Sequence, residues 1–189
     1  HSMSRVRQGA LLFGGSGRTC LHSDLWLLKC PSAEEAAAEA TGAGDGSSAV
    51  FMWKVPTTEG TSPVARAFHT ASVRASADAE GVEQLLVCGG SNSHGRLSDL
   101  HCLSLPSFTW SCPRVNGTPP SGRCWHAAAA PPTTTTFRML VFGGVDSTGS
   151  SLRDCHLLTP LIPAVDPGGS AAADKGGKDK GAKKKEDKK

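Results

Sequence analysis

The chain has no tyrosine, and Phe and Trp together make up only 5% of its 189 residues. Six Phe and four Trp are too few to spread over a surface, so each large ring is expected where burial counts most. No apolar run approaches the ~18 residues that a membrane-spanning helix needs. The opening residues do not read as a signal peptide. The seven cysteines include no Cys-x-x-Cys pair and are odd in number, which argues against a zinc ribbon and against a disulfide framework. Cys88, Cys102, Cys112, Cys124 and Cys155 sit in or beside apolar strand-like runs and read as reduced core thiols. That usage predicts a cytoplasmic setting, with nucleus and cytoskeleton as variants of it. His1-Ser2-Met3 reads as the remnant of a tag ahead of a start methionine, and residues 1–10 as a lead-in.

A basic folded face is also missing. The net charge is +3, but eight of the 20 basic and four of the 17 acidic residues lie in the last sixteen positions, leaving 12 basic and 13 acidic upstream. A nucleic-acid-binding domain concentrates cations on its folded part, so nucleic acid is not the expected partner of this one. From 161 to 189 the chain lacks apolar periodicity and is expected to form a disordered Lys-rich tail, because it cannot repay the entropy of ordering. Its acids interrupt its lysines, which favours a solubilising role over contact with acidic partners such as nucleic acid, cytoskeleton or anionic membrane.

What the sequence does have is repetition. Leu11-Leu12-Phe13-Gly14-Gly15, Leu85-Leu86-Val87-Cys88-Gly89-Gly90 and Leu140-Val141-Phe142-Gly143-Gly144 are apolar runs stopped by a glycine pair, the pattern of a strand buried on both faces. Nine residues after Gly15 stands Asp24, nine after Gly90 stands Asp99, and ten after Gly144 stands Asp154. Each Asp opens an alternating run that reads as a second strand. Trp53 and Trp110 occupy the same place in a third. Pro63-Val64-Ala65-Arg66-Ala67-Phe68-His69 and Pro120-Ser121-Gly122-Arg123-Cys124-Trp125-His126 match as Pro-x-x-Arg-x-x-His and lead into a fourth. The step from Gly89 to Gly143 is 54 residues; that from Gly14 to Gly89 is 75. An Ala/Glu/Gly/Ser-rich loop insertion at 29–50 accounts for the excess.

These residues resemble kelch repeats, four-stranded blades of a β-propeller with a period of about 50 residues. The resemblance covers about 11–160, with units near 11–56, 63–113 and 120–158. It departs from the family in lacking the usual Tyr between the glycine pair and the Trp, which implies thinner packing between blades. It implies an all-β fold of kelch-type β-propeller blades in an incomplete ring. The first unit is expected to lack its Arg/His strand and the third its Trp strand. Propellers close with about four to eight blades, so the chain is expected either to be part of a longer one that supplies the missing blades or to self-associate.

The same resemblance sorts the candidate residues. Gly14, Gly15, Gly89, Gly90, Gly143, Gly144, Asp24, Asp99, Asp154, Arg66, His69, Arg123 and His126 are expected to be structural, the arginines bonding backbone or the Asp24 and Asp99 carboxylates across blades. Trp53, Trp110 and Trp26 are expected in the packed interface between blades. No carboxylate or Ser completes a triad beside the Arg/His pairs, and an active site needs one constellation rather than a copy per blade. Zinc ligation by Cys20 or Cys155 with His22, His94, His101 or His156 has no supporting spacing. No catalytic residue, cofactor or metal is therefore assigned. Enzyme chemistry is known on some propellers of this kind, but a redox-metal site there uses Tyr, which is absent. Function is expected in loops held by a rigid scaffold, here Ser16 to Ser23, Ser91 to Leu97 and Val145 to Leu152. Arg18, Asn92, His94, Arg96 and Asp146 are the predicted contacts of a protein partner, in a scaffold, adaptor or substrate-recognition role.

Overall fold

The computed structural model describes residues 1–31, 41, 51–75, 82–115, 117–130 and 139–161. Most of the 29–50 insertion and nearly all of the 161–189 tail therefore lie outside the described residues. Those described form strands and connections, with no helix. The first sheet runs β1 (Ser2–Val6), β2 (Gly9–Ser16), β3 (Leu21–Lys29) and β4 (Met52–Lys54), an antiparallel meander in that order. The second holds β5 (Glu59–Gly60), β6 (Thr70–Ala75), β7 (Glu83–Cys88), β10 (Leu100–Leu105) and β11 (Thr109–Ser111), in the order β5-β11-β10-β7-β6. The third is β13 (Ala127–Ala129), β14 (Met139–Phe142) and β15 (Cys155–Leu158). Two small pairs complete the set: β8 (Ser91–Asn92) with β9 (Gly95–Arg96), and β12 (Arg114–Val115) with β16 (Pro160–Leu161). The glycine pairs end β2, β7 and β14, the strands second in their meanders.

The start of the chain corrects one expectation. Ser2–Val6 is no lead-in: it pairs antiparallel with Gly9–Phe13, Ser2 opposite Phe13. In the second sheet Thr70 stands opposite Cys88, and in the third Ala127 opposite Phe142. Counting back one residue, His1 holds the register of His69 and His126. The second glycine of each pair shows the same thing from the other side. A Cβ on Gly15 would lie 2.9 Å from the His1 Cβ, on Gly90 2.8 Å from that of His69, and on Gly144 2.9 Å from that of His126. With φ of +112°, +98° and +98°, these glycines take backbone that side chains disfavour and leave room for a histidine. The first unit thus has its Arg/His-type strand. Ser-Met-Ser-Arg-Val hides it, because only Val6 of the five is buried.

Two apolar layers hold the blades together. Leu11, Phe13, Leu25 and Leu27 of the first pack against Leu85, Val87, Leu103, Leu105 and Trp110 of the second. Leu86, Cys88, Leu100 and Cys102 on the second blade's other face meet Met139, Val141 and Leu158 of the third. Successive side chains of a strand point to opposite faces, so β7 and β10, buried at nearly every position, serve both layers. The Trp110 ring lies 5.5 Å from that of Phe13 and is 3% exposed. Trp53 stands at the same register, opposite Leu28 as Trp110 is opposite Leu103. It is nevertheless 48% exposed, which corrects its placement in an interface, and Trp26 is half-buried. Both face away from the second blade. Cys88, Cys102 and Cys124 are buried as expected, but Cys112 and Cys155 are exposed. Burial pushes the Cys88 and Cys102 thiols up to about 11, so neither is a nucleophile near neutrality.

Candidate functional site

The repeated arginines and histidines are absorbed by the scaffold. Arg66 is fully buried, donating from Nη1 to the Gly89 carbonyl (3.0 Å) and Asp99 Oδ1 (2.6 Å), from Nη2 to Asp99 Oδ2 (2.7 Å), and from Nε to the Val64 carbonyl (3.0 Å). Arg123 repeats this with Gly143, Asp154 and Ser121. Each arginine therefore holds the aspartate of its own blade, not one across the junction. Asp24 is held by neither, and instead accepts Trp26 Nε1–H at 2.6 Å. Partial burial works against the charge of Asp99, but the hydrogen bonds from Arg66 and His101 outweigh it and hold its pKa well below the usual range. Asp154 is lowered likewise by its bonds to Arg123 and His156. Backbone, histidine and Glu83 bonds cross the junctions, Arg7 N–H donating to Glu83 Oε2 at 2.7 Å. Gly15 N–H donates to the Arg66 carbonyl (2.8 Å) and Gly90 N–H to that of Arg123 (2.9 Å), while His69 Nε2 meets Ser2 Oγ and His126 Nε2 meets Thr70 Oγ1, both at 2.8 Å.

These histidines make the fold sensitive to acid. Burial first, then the amino terminus and Arg66, lowers His69 to about 4; burial first, then Arg123, lowers His126 to about 4. The unfolded chain, with His near 6.5, binds more protons, so their contribution is complete above that pH and is lost as pH falls toward 4. Urea melts should lose about 1.4 kcal/mol per histidine between pH 7.5 and 5.5. His126→Gln should remove its share of that slope.

Repetition leaves one end of the blades distinctive. The segments 16–21, 63–69, 89–99 and 121–126 meet there, bound by Ala67 N–H to the Ser91 carbonyl (3.0 Å), its reciprocal (2.8 Å), and Trp125 N–H to the Phe68 carbonyl (3.1 Å). Of the predicted contacts, the fold brings Arg18, Asn92 and His94 into one cleft of about 690 Å³, shared with Cys20, Val64 and Ser93. Among the described residues no acidic one lines it. Asn92 Oδ1 accepts the His94 N–H at 2.8 Å and fixes that turn. Arg96 lies outside the cleft lining, its guanidinium 5.7 Å from the Trp125 ring centre. Asp146 is elsewhere, in the third blade's loop. There its Oδ1 accepts from Thr148 and Ser150 N–H and from the Thr148 hydroxyl, and the hydroxyl bond first, then the backbone bonds, lowers its pKa. Among the described residues no three of His, Cys, Asp and Glu cluster as metal ligands, and no helix is long and apolar enough to cross a membrane.

Sequence reasoning missed the most exposed feature of this end. Phe68 and Trp125, one residue before each repeat histidine, are 46% and 60% exposed. Their rings meet across the blade junction in a tilted contact, centres 5.0 Å apart and planes at 58°. Both have positive φ, 58° and 56°, where a bulky residue is strained by about 1–3 kcal/mol. The signal was present in the matched motif, where the position between Arg and His is aromatic in both copies. It was overlooked because the motif was read for its charged members.

No family model matches the chain. It is similar to host cell factor 2 of Homo sapiens, 34% identical over 114 residues that make up 58% of this chain and 14% of that protein. It is similar to the Rab9 effector protein with kelch motifs of Bos taurus, 30% identical over 106 residues, 56% of this chain and 26% of that one. The chain spans about a quarter or less of the length of these curated relatives. Among solved structures that of YjhT aligns with a TM-score of 0.49 at 16% identity, covering 85% of this chain and 43% of that one.

Proposed function

Since the chain is built of kelch repeats, blades of a β-propeller, we propose that it is a protein-interaction module that grips its partner at the end of the blades carrying Phe68, Trp125 and Arg96. The carrying observation is the exposed Phe68–Trp125 ring contact held in strained backbone. A conformation that costs stability and displays apolar rings to water serves packing poorly. It suits an anchor, since Trp and Arg dominate the energetics of protein interfaces. The adjoining cleft supplies adaptable polar contacts from Asn92 and Ser93 and a cation from Arg18. The name of the Rab9 effector relative, itself a protein acting through another protein, supports the reading.

A scaffold, adaptor or substrate-recognition role follows from it, and catalysis does not: Arg66–Asp99 and Arg123–Asp154 are repeated clamps within the second and third blades, and His69 and His126 are engaged in bonds between blades. The seven unpaired thiols support a reducing, cytoplasmic setting. Contact through the Lys-rich tail is a separate mode, and cross-linking pull-downs with and without residues 167–189 distinguish the two.

Once a partner is identified, Trp125→Gly should weaken its binding at least about 30-fold, the effect of losing a 2 kcal/mol anchor. Stability should stay within about 1 kcal/mol, because glycine relieves the positive φ as the ring contact is lost. Unchanged affinity measured by calorimetry, with the fold intact, would remove this surface from the interface.

A further inference from the structure

A thiol, an imidazole and a carboxylate stand in line on the second blade. Cys112 follows β11, and the ladder that sets Ser111 opposite Cys102 brings it beside His101 of the neighbouring strand. Its Sγ lies 3.4 Å from His101 Nδ1, and His101 Nε2 lies 3.1 Å from Asp99 Oδ2. Asp99 accepts from both Nη groups of Arg66, so it is an ionised acceptor and Nε2 carries the ring hydrogen. In the neutral ring Nδ1 then keeps a lone pair for the Cys112 S–H. The Thr61 carbonyl lies 3.4 Å from the same nitrogen and can accept from it only once Nδ1 is protonated. The imidazole is 8% exposed, whereas Cys112 is open to solvent.

Only part of this line belongs to the repeat. At the register of His101 the first blade has Trp26 and the third His156, and each bonds the aspartate of its own blade. Two residues after its Trp the second blade has Cys112, where the first has Val55. The ring-to-aspartate bond is therefore scaffold, and the thiol is not. We propose that Cys112 is a modification site, a thiol that exchanges with small disulfides of the glutathione class. As Sγ attacks one sulfur of the disulfide, its proton passes to His101 Nδ1. The Asp99 carboxylate and the Thr61 carbonyl then hold the two N–H groups of the imidazolium. The bond from Cys112 to sulfur forms, the S–S bond of the small disulfide breaks, and the departing thiolate takes the proton from Nδ1. Cys112 is oxidised and the departing sulfur reduced; attack by a further thiol reverses the exchange.

The test adds oxidised glutathione to the folded full chain near neutral pH and follows each adduct by peptide mass spectrometry. Cys30 and Cys155 are exposed as well and serve as internal references. Cys112 should react at least about 10-fold faster than either, well within what a positioned base supplies. In urea, with the line of groups dispersed, the three thiols should react alike. His101→Gln, its fold checked by circular dichroism, should slow Cys112 to the rate of the references and leave theirs unchanged. Cys112→Ser should abolish the fast adduct. A folded chain in which Cys112 gains less than about 10-fold overturns the proposal. So does a fast Cys112 that keeps its advantage with His101→Gln or in urea. Should His101→Gln not fold, the comparison of folded with urea-unfolded chain decides.

Discussion

Trp110→Ala is expected to lower the unfolding free energy by about 3–5 kcal/mol, and Trp53→Ala to change it by no more than about 0.5 kcal/mol. The two tryptophans share a repeat position and a strand register, so propensity and sequence context predict equal effects. Only the neighbouring blade distinguishes them. Trp110 lies within an apolar layer against Phe13, in contact distance of His101 as well, and its removal opens a cavity that rigid sheets on both sides cannot fill. Trp53 sits over solvent. Equal losses in urea melts would contradict the exposure of Trp53 on β4.

Arg66→Ala is the second large effect, expected at about 3 kcal/mol. Breaking a buried pair strands the remaining group, which costs about 3–5 kcal/mol. The low end applies here, because the Asp99 side chain is still 38% exposed and water can take up part of its charge. The Gly89 carbonyl loses its donor at the same time. Arg66→Lys should recover little, since a single ammonium cannot span both carboxylate oxygens and the carbonyl. A loss below about 1 kcal/mol by denaturant titration would contradict the clamp. Either substitution removes a large part of the roughly 5–15 kcal/mol by which domains are stable.

Much of this fold was legible because its rules are local. A glycine pair closing an apolar run marks a strand end at positive φ, and all three pairs have it. The Asp and Arg positions announced themselves by spacing, and the fold brings Arg66 to Asp99 and Arg123 to Asp154. Hidden features were those set by a neighbour. Ser2–Val6 lacks apolar periodicity, yet β2 and the register of His1 make it a strand. The exposure of Trp53 and Cys155 depends on which blade faces are covered, which no residue pattern within a repeat encodes. Arg18, Asn92 and His94 lie on loops that a propeller exposes, and they line one cleft. Asp146 was proposed on the same ground, but an Asp two residues ahead of a Thr and four ahead of a Ser commonly ties its own turn, as it does here.

The proposal that a partner is held at the Phe68–Trp125 end is tested most directly by mapping contact from both ends of the blades. A photo-cross-linking residue placed at 18, 93 or 125 samples the loop cluster, and one at 8 or 107 the turns at the opposite end. The account predicts that a single partner is captured from the first three positions and from neither of the last two. Capture from 8 or 107, with none from 125, would contradict it.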